Sequence, residues 1–357
     1  MFVLLDVTGH NYLQGYIPNE IQVFSNLEQL NLRNNSLAGE LPDGLTKLSK
    51  LTMLDMSENK LGSTLPFNIG SLSNLSVLLL GRNEFVGTIP PAVSLLHELK
   101  ELDLSRTSLS GPILGAAPGA PWVELTKLET LDLSYCQFTG TIPTHISHLS
   151  SLADVRIDEN MLTGPIPFEQ MMSSLNNLVS LTLSQNDLSG TIPSNFDHPL
   201  SLTWLDLSFN FIESTIPESI GVFLPSLEFL NLSQNYLAGT LPTSLGEMTG
   251  LEYISASYNN IEGTIPPELA KCSALVSVNF ALNRLVGEIP SIFGNLVALE
   301  SLDLNSNGLE GTLPSEFGRL QQLSTLRVES NLLSGSVPQS FLNMTSLGKN
   351  GATYEKG

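Results

Sequence analysis

The string LNLSQNYLAGTLP at residues 230–242 recurs along the chain, as LNLRNNSLAGELP from Leu30 and as LDLNSNGLEGTLP from Leu302. A fixed period of this size means one supersecondary unit copied many times, and such a unit is stable only when stacked on its neighbours. Aligning the copies on their central Asn gives 14 anchors: Asn11, Asn35, Asn59, Asn83, Thr107, Cys136, Asn160, Asn186, Asn210, Asn235, Asn259, Asn283, Asn307 and Asn331. Ten of the 13 steps are 24 residues long, and the exceptions are 29, 26 and 25. A chain of 357 residues built this way is expected to be one elongated domain over residues 1–342, followed by a polar tail at 343–357.

Each unit opens with alternation, as in Leu230, Asn231, Leu232, Ser233, which is the period of a short half-buried strand. Leucines of that strand and of the later segment, such as Leu245, Met248 and Leu251, are expected to fill the space between two walls. The anchor Asn should point inward and bond backbone groups that would otherwise be buried unpaired. Thr107 and Cys136 each have one hydrogen to donate, which makes the fifth and sixth repeats the expected weak part of this ladder. Ser63 stands where most units have Gly. After Gly111 the text PILGAAPGAPWVELTKL carries five extra residues rich in Gly, Ala and Pro, which reads as a surface loop on the outer side. The steps of 26 and 25 place two residues and one residue in the same outer region.

The segment after the anchor reads LAGELP, FVGTIP, FTGTIP, LTGPIP, LSGTIP, IEGTIP and LEGTLP in seven of the units. This L-x-G-x-I/L-P pattern resembles the plant-type leucine-rich repeat of receptor-like kinase ectodomains, receptor-like proteins and polygalacturonase-inhibiting proteins. The resemblance covers about residues 3–342. It implies an α/β solenoid: a right-handed superhelix with a concave parallel β-sheet and a second short strand at the G-x-I-P segment. It also implies extracellular or cell-surface recognition of a protein, peptide or glycan, with a possible co-receptor. The paired cysteines that cap such domains are absent, as are a kinase and a membrane segment. An excerpt of a longer product, or ends covered by a partner, is therefore expected. MFVLLDV lacks the basic and small-residue features of a signal peptide and reads as the first strand. A polygalacturonase-inhibitor-like protein and an intracellular scaffold remain the alternatives.

With 35 acidic against 15 basic residues, a net charge of −20 repels phosphate backbones and argues against a nucleic-acid partner. No cofactor, metal site or enzyme motif is expected: the five histidines are scattered, and His145 and His148 sit beside no Cys or carboxylate cluster. Cys136 and Cys272 lie five strand steps apart, too far to pair, and each has a structural place, at the anchor and in a leucine column respectively.

Four positions per unit should face out of the strand region: the sixth, fourth, second and first before the anchor. The sixth-before column holds Trp204, Phe229 and Tyr253, and the first-before column holds Phe209 and Tyr258. Clustered exposed aromatics mark recognition surfaces, although they could instead pack on one another across strands. Asp154, Arg156, Asp158 and Glu159 lie on the same face, preceded by Arg106 and Tyr135, and would steer a basic ligand. Asp55, Asp103, Asp132, Asp206 and Asp303 share one column but follow from the common filling L-D-L-S. Met53, Val77 and Leu79 form a smaller apolar patch. Sequons at Asn34, Asn74, Asn231 and Asn343 would carry glycans in a secreted protein.

Overall fold

In a computed structural model of the chain, residues 3–8, 11–113, 122–194 and 201–347 are described. The chain forms two compact units, Met1–Leu188 and Ser189–Gly357. In the first, eight strands from Leu4–Asp6 to Ser180–Thr182 pair in chain order, all parallel and in register. In the second, six strands from Trp204–Asp206 to Thr325–Arg327 do the same. Because the pairing is in register, each repeat position becomes a column running from strand to strand.

Behind the strands the leucines are fully buried, as at Leu230, Leu245, Met248 and Leu251, all 0% exposed. The outer segment of a 24-residue repeat is a short 3₁₀ helix, such as Leu45–Lys47 or Thr243–Glu247. The two α-helical segments among the described residues, Phe168–Ser174 and Ile220–Phe223, fall in the steps of 26 and 25. The physical reason is rise per residue: an α-helix needs more residues than a 3₁₀ helix to cover the same length. The insertion at 114–121 lies outside the described residues, while its flanks Ile113 and Trp122 are buried.

The anchor asparagines from Asn35 onward face inward as a ladder, whereas Asn11 is exposed and bonds only its own turn. Asn83, 7% exposed, donates through Nδ2 to the carbonyls of Met56 and Leu80, both at 2.9 Å, and its Oδ1 accepts from the Leu61 N–H at 2.9 Å. Asn235 repeats the arrangement with Leu207, Leu232 and Ile212. Each Asn thus ties its own turn to the preceding repeat. Thr107 reaches the carbonyl of Leu104 in its own turn at 2.9 Å, and its hydroxyl lies 3.3 Å from the Cys136 sulfur. The Cys136 thiol supplies the link to the preceding repeat, donating to the same Leu104 carbonyl at 3.3 Å. Two residues therefore share one acceptor where two asparagines would each hold several.

The residue before the anchor adopts a left-handed backbone in every repeat from Asn34 to Ser330, with φ between 53° and 57°. Its N–H then meets the next repeat, as Phe209 N–H does the Ser233 carbonyl at 2.9 Å. Side chains there leave on a turn rather than on a strand, which refines the expectation that the first-before column shares the strand face.

The second strand also sits earlier than expected. It occupies the residues directly after the anchor and typically ends at the Gly, as in Ser36–Gly39 and Glu84–Gly87, rather than at G-x-I-P. The Gly turns away from strand geometry, with φ of 83° at Gly87 and 70° at Gly239. A Cβ on either would lie 3.1 Å or 2.7 Å from the threonine methyl of the preceding repeat, Thr64 or Thr215. Ser63 and Ser214 hold this position with φ of 72° and 75°, a strained conformation for a residue with a Cβ.

Asn83→Ala should lower stability by about 2 kcal/mol, because it leaves the buried Leu80 carbonyl and the Leu61 N–H unpaired, while the Met56 carbonyl keeps Asn59 at 3.1 Å. Urea titration followed by far-ultraviolet circular dichroism measures it. By the same assay, Ser63→Gly should raise stability by about 0.5–1 kcal/mol.

Candidate functional site

The open face of the second unit carries a stack of rings. Trp204, Phe229 and Tyr253 are in register on consecutive strands. Trp204 and Phe229 lie face to face, with centroids 3.8 Å apart and an interplanar angle of 0°. Phe229 and Tyr253 follow at 4.4 Å and 8°. Parallel strands run about 4.8 Å apart, close to ring thickness, so one aromatic per repeat in one column stacks without backbone adjustment. The rings pack on one another and still meet solvent: Trp204 is 42% exposed, and Phe229 and Tyr253 are half-buried. Packing across strands, one of the two alternatives when read from sequence, is present in this geometry. Phe229 has both faces covered by its neighbours in the stack.

Phe209 and Tyr258 stand on the left-handed turns after their strands, 44% and 53% exposed, and join no ring pair among the described residues. A further pair, Phe211 and Tyr236, stacks at 5.8 Å on the second sheet and is also exposed. The column one residue after the anchor would have disclosed it.

In the first unit the expected charged group is largely satisfied internally. Arg156 pairs with Asp154 of its own strand at 2.7 Å. Asp158 accepts from the Thr182 hydroxyl at 2.7 Å, and Glu159 accepts from the Gln185 amide. The Arg106 guanidinium lies 3.8 Å over the Tyr135 ring, a cation–π contact between adjacent repeats in one column.

The aspartate column has a structural task. Oδ1 of Asp55, Asp103, Asp132 and Asp206 accepts both the N–H and the hydroxyl of the serine two residues on, the hydroxyl at 2.6 Å in each case. Asn231 accepts in the same way from Ser233, at 2.7 Å from the hydroxyl. Burial pushes the Asp103 carboxyl above the usual aspartate value against the opposing Ser105 bonds, and burial likewise raises Glu101.

Both cysteines are free. Burial pushes the Cys272 thiol up to about 11, and it donates to the Leu245 carbonyl. His148 Nδ1 lies 3.2 Å from the His145 carbonyl, and no group of three or more potential metal ligands occurs among the described residues. Of the sequons, Asn74 and Asn343 are exposed, although Asn74 Nδ2 donates to the Ser49 carbonyl at 2.7 Å. Asn34 is half-buried on its left-handed turn. Asn231 is half-buried in a strand, beside Phe229 of the stack.

Family models described as leucine rich repeat match residues 201–261 and, as single repeats, 26–48, 50–72, 127–149, 177–199 and 298–320. Among solved structures, the ectodomain of the plant membrane receptor kinase GASSHO1/SCHENGEN3 from Arabidopsis thaliana matches with a TM-score of 0.89 and 32% identity, over 97% of this chain and 40% of its own. This chain is a leucine-rich-repeat protein. The plant peptide hormone receptor RGFR1 matches it with a TM-score of 0.86 and 32% identity, over 96% of this chain and 53% of that one. Arabidopsis HAESA follows at 0.77 and 28%, over 96% and 64%. The leucine-rich-repeat chain thus spans between about two fifths and two thirds of the length of these receptor chains. Those structures hold CASPARIAN STRIP INTEGRITY FACTOR 2, RGF2, and the peptide hormone IDA with the co-receptor SERK1, respectively. No curated protein matches the chain. Among the described residues no helix is long and apolar enough to cross a membrane.

Asp103→Asn keeps the acceptor for Ser105 and removes a half-buried charge. The raised carboxyl of the folded state favours folding fully below the ordinary aspartate value of 3.8, and that contribution is lost as pH rises through the folded value. The variant should therefore be the more stable protein at neutral pH, with its advantage vanishing toward pH 3, as urea titrations across that range will measure.

Proposed function

We propose that this leucine-rich-repeat chain is the recognition part of a plant cell-surface receptor, facing the extracellular side, and that it binds a peptide without catalysing a reaction. The observation that carries the reading is the exposed stack of Trp204, Phe229 and Tyr253 on the open strand face of the second unit. Stacked rings are rigid, so little side-chain freedom is lost on binding, and aromatic anchors commonly dominate interface energies. The edges of the stack offer apolar contact along three repeats, a span suited to an extended peptide. A sugar ring stacks on aromatic faces, and most of the faces here are already occupied.

Supporting the reading are the peptide hormones bound by RGFR1 and HAESA, both similar over nearly all of this chain. By the same likeness a co-receptor is the expected protein partner. Phe209 and Tyr258 would contact the ligand from the turns bordering the strand face. Asp158 and Glu159 of the first unit, already engaged by Thr182 and Gln185, are separate candidate contacts for a basic side chain.

The test is a triple variant, Trp204→Ala with Phe229→Ala and Tyr253→Ala, compared with the wild type against a peptide selected on the immobilised chain. Affinity should fall by roughly tenfold or more, with thermal unfolding run alongside as the control for folding. Equal affinity in a folded variant removes the stack as the site.

A further inference from the structure

A groove of about 700 Å³ opens on the second-sheet side of the first unit, where its first repeats meet. Its walls are places where this chain departs from its own repeat. Five residues after the anchor, most repeats carry a threonine whose methyl packs on the glycine of the next repeat. Thr88 does so at Gly111, where a Cβ would lie 2.9 Å from the methyl. The first repeat has Tyr16 at that position. Its ring takes the place of the methyl against Gly39, where a Cβ would lie 2.4 Å from Cδ1, and the residue is still 79% exposed. A methyl suffices for that contact, so most of the ring has no packing task.

The second repeat has Glu40 at the same position, and the residue of the third repeat that would be its glycine partner is Ser63. Ser63 keeps the positive φ, at 72°, and so puts a hydroxyl into the groove at the cost of backbone strain. Lys60 and Glu84, both exposed, line the groove from the adjacent strands Lys60–Ser63 and Glu84–Gly87. Gly62, in register with Glu84, adds no side chain to the floor. Among the described residues no ion pair or side-chain hydrogen bond engages the side chains of Tyr16, Glu40, Lys60, Ser63 or Glu84.

These groups select a class of ligand. The carboxylates of Glu40 and Glu84 turn an anion away, and Lys60, on the repeat between theirs, turns a cation away. The one large apolar surface exposed there is the Tyr16 ring, too little for an amphipathic helix or an apolar peptide. A neutral sugar meets every condition. The C–H face of a pyranose lies on an aromatic ring, and its hydroxyls both donate and accept, so they pair with carboxylate, ammonium and serine alike. Three strand steps separate the repeats of Tyr16 and Glu84, about 14 Å, which is room for a short oligosaccharide. We propose that this groove binds a neutral oligosaccharide, with one sugar ring on Tyr16 and the hydroxyls of the next sugars on Lys60, Ser63 and Glu84. The site belongs to the first unit and does not depend on the peptide reading.

The experiment is isothermal titration calorimetry of the full chain with cellohexaose, xylohexaose and mannohexaose, and with hexagalacturonate as the anionic control. At least one neutral hexaose should bind, and hexagalacturonate should not. Tyr16→Thr restores the packing used by the other repeats and removes the ring, so thermal unfolding should be unchanged while binding weakens by about fivefold or more. Tyr16→Phe keeps the ring and should bind as the wild type does. Ser63→Gly should weaken binding by about twofold or more although it relieves strain, a split that a purely structural serine would not produce. No binding of any neutral hexaose, preference for hexagalacturonate, unchanged affinity in Tyr16→Thr or Ser63→Gly, or equal loss in Tyr16→Phe overturns the proposal and leaves the peptide reading standing.

Discussion

Everything in this fold depends on one hydrogen-bonding problem. Each repeat turns sharply after its strand, and the turn leaves carbonyls inside the protein with no strand to pair with. The ladder asparagine solves this with one side chain, donating to its own turn and to the preceding repeat while accepting an N–H from that repeat. The left-handed residue just before it aims the backbone at the next repeat. Packing of leucines supplies most of the driving force, but leucines tolerate sliding. The polar bridge does not, and it holds the strands in register.

Register in turn decides what the surface can be. With parallel in-register strands, a residue type repeated in one column becomes a row of touching side chains. Aromatics in the sixth-before column therefore stack, whereas aspartates in the fourth-before column bend back to bond the serine of their own turn. The two columns look equally functional in the sequence and have different physical roles. Part of the net charge of −20 is thus engaged in holding turns.

Period and alternation make much of this legible. The strands, the inward leucines, the buried asparagines and the exposure of Trp204 all come from counting residues. Other features exist only in three dimensions. Alternation does not report the sign of φ, so the left-handed turn under Phe209 and Tyr258 is hidden in the sequence, and with it their separation from the ring stack. Nor does a column reveal whether its rings present faces or edges, and for Phe229 both faces are spent on its neighbours. G-x-I-P is the most conspicuous text of the repeat and draws the second strand too late, yet Gly with positive φ ends the strand rather than starting it. The substitution of Thr107 and Cys136 in the ladder is visible as a departure, but their sharing of the Leu104 carbonyl is not.

The in-register column also bears on how such a surface can change by recombination. Two residues that touch are a whole unit apart in the text, as Phe229 and Tyr253 are. An unequal exchange that removes one complete copy brings the flanking copies together in the same register, so the backbone ladder closes again. Loss of the copy that contains Phe229 would set Trp204 directly against Tyr253, a shorter but unbroken row. Gain or loss of copies thus adjusts the length of the aromatic row in whole steps, leaving the joints intact.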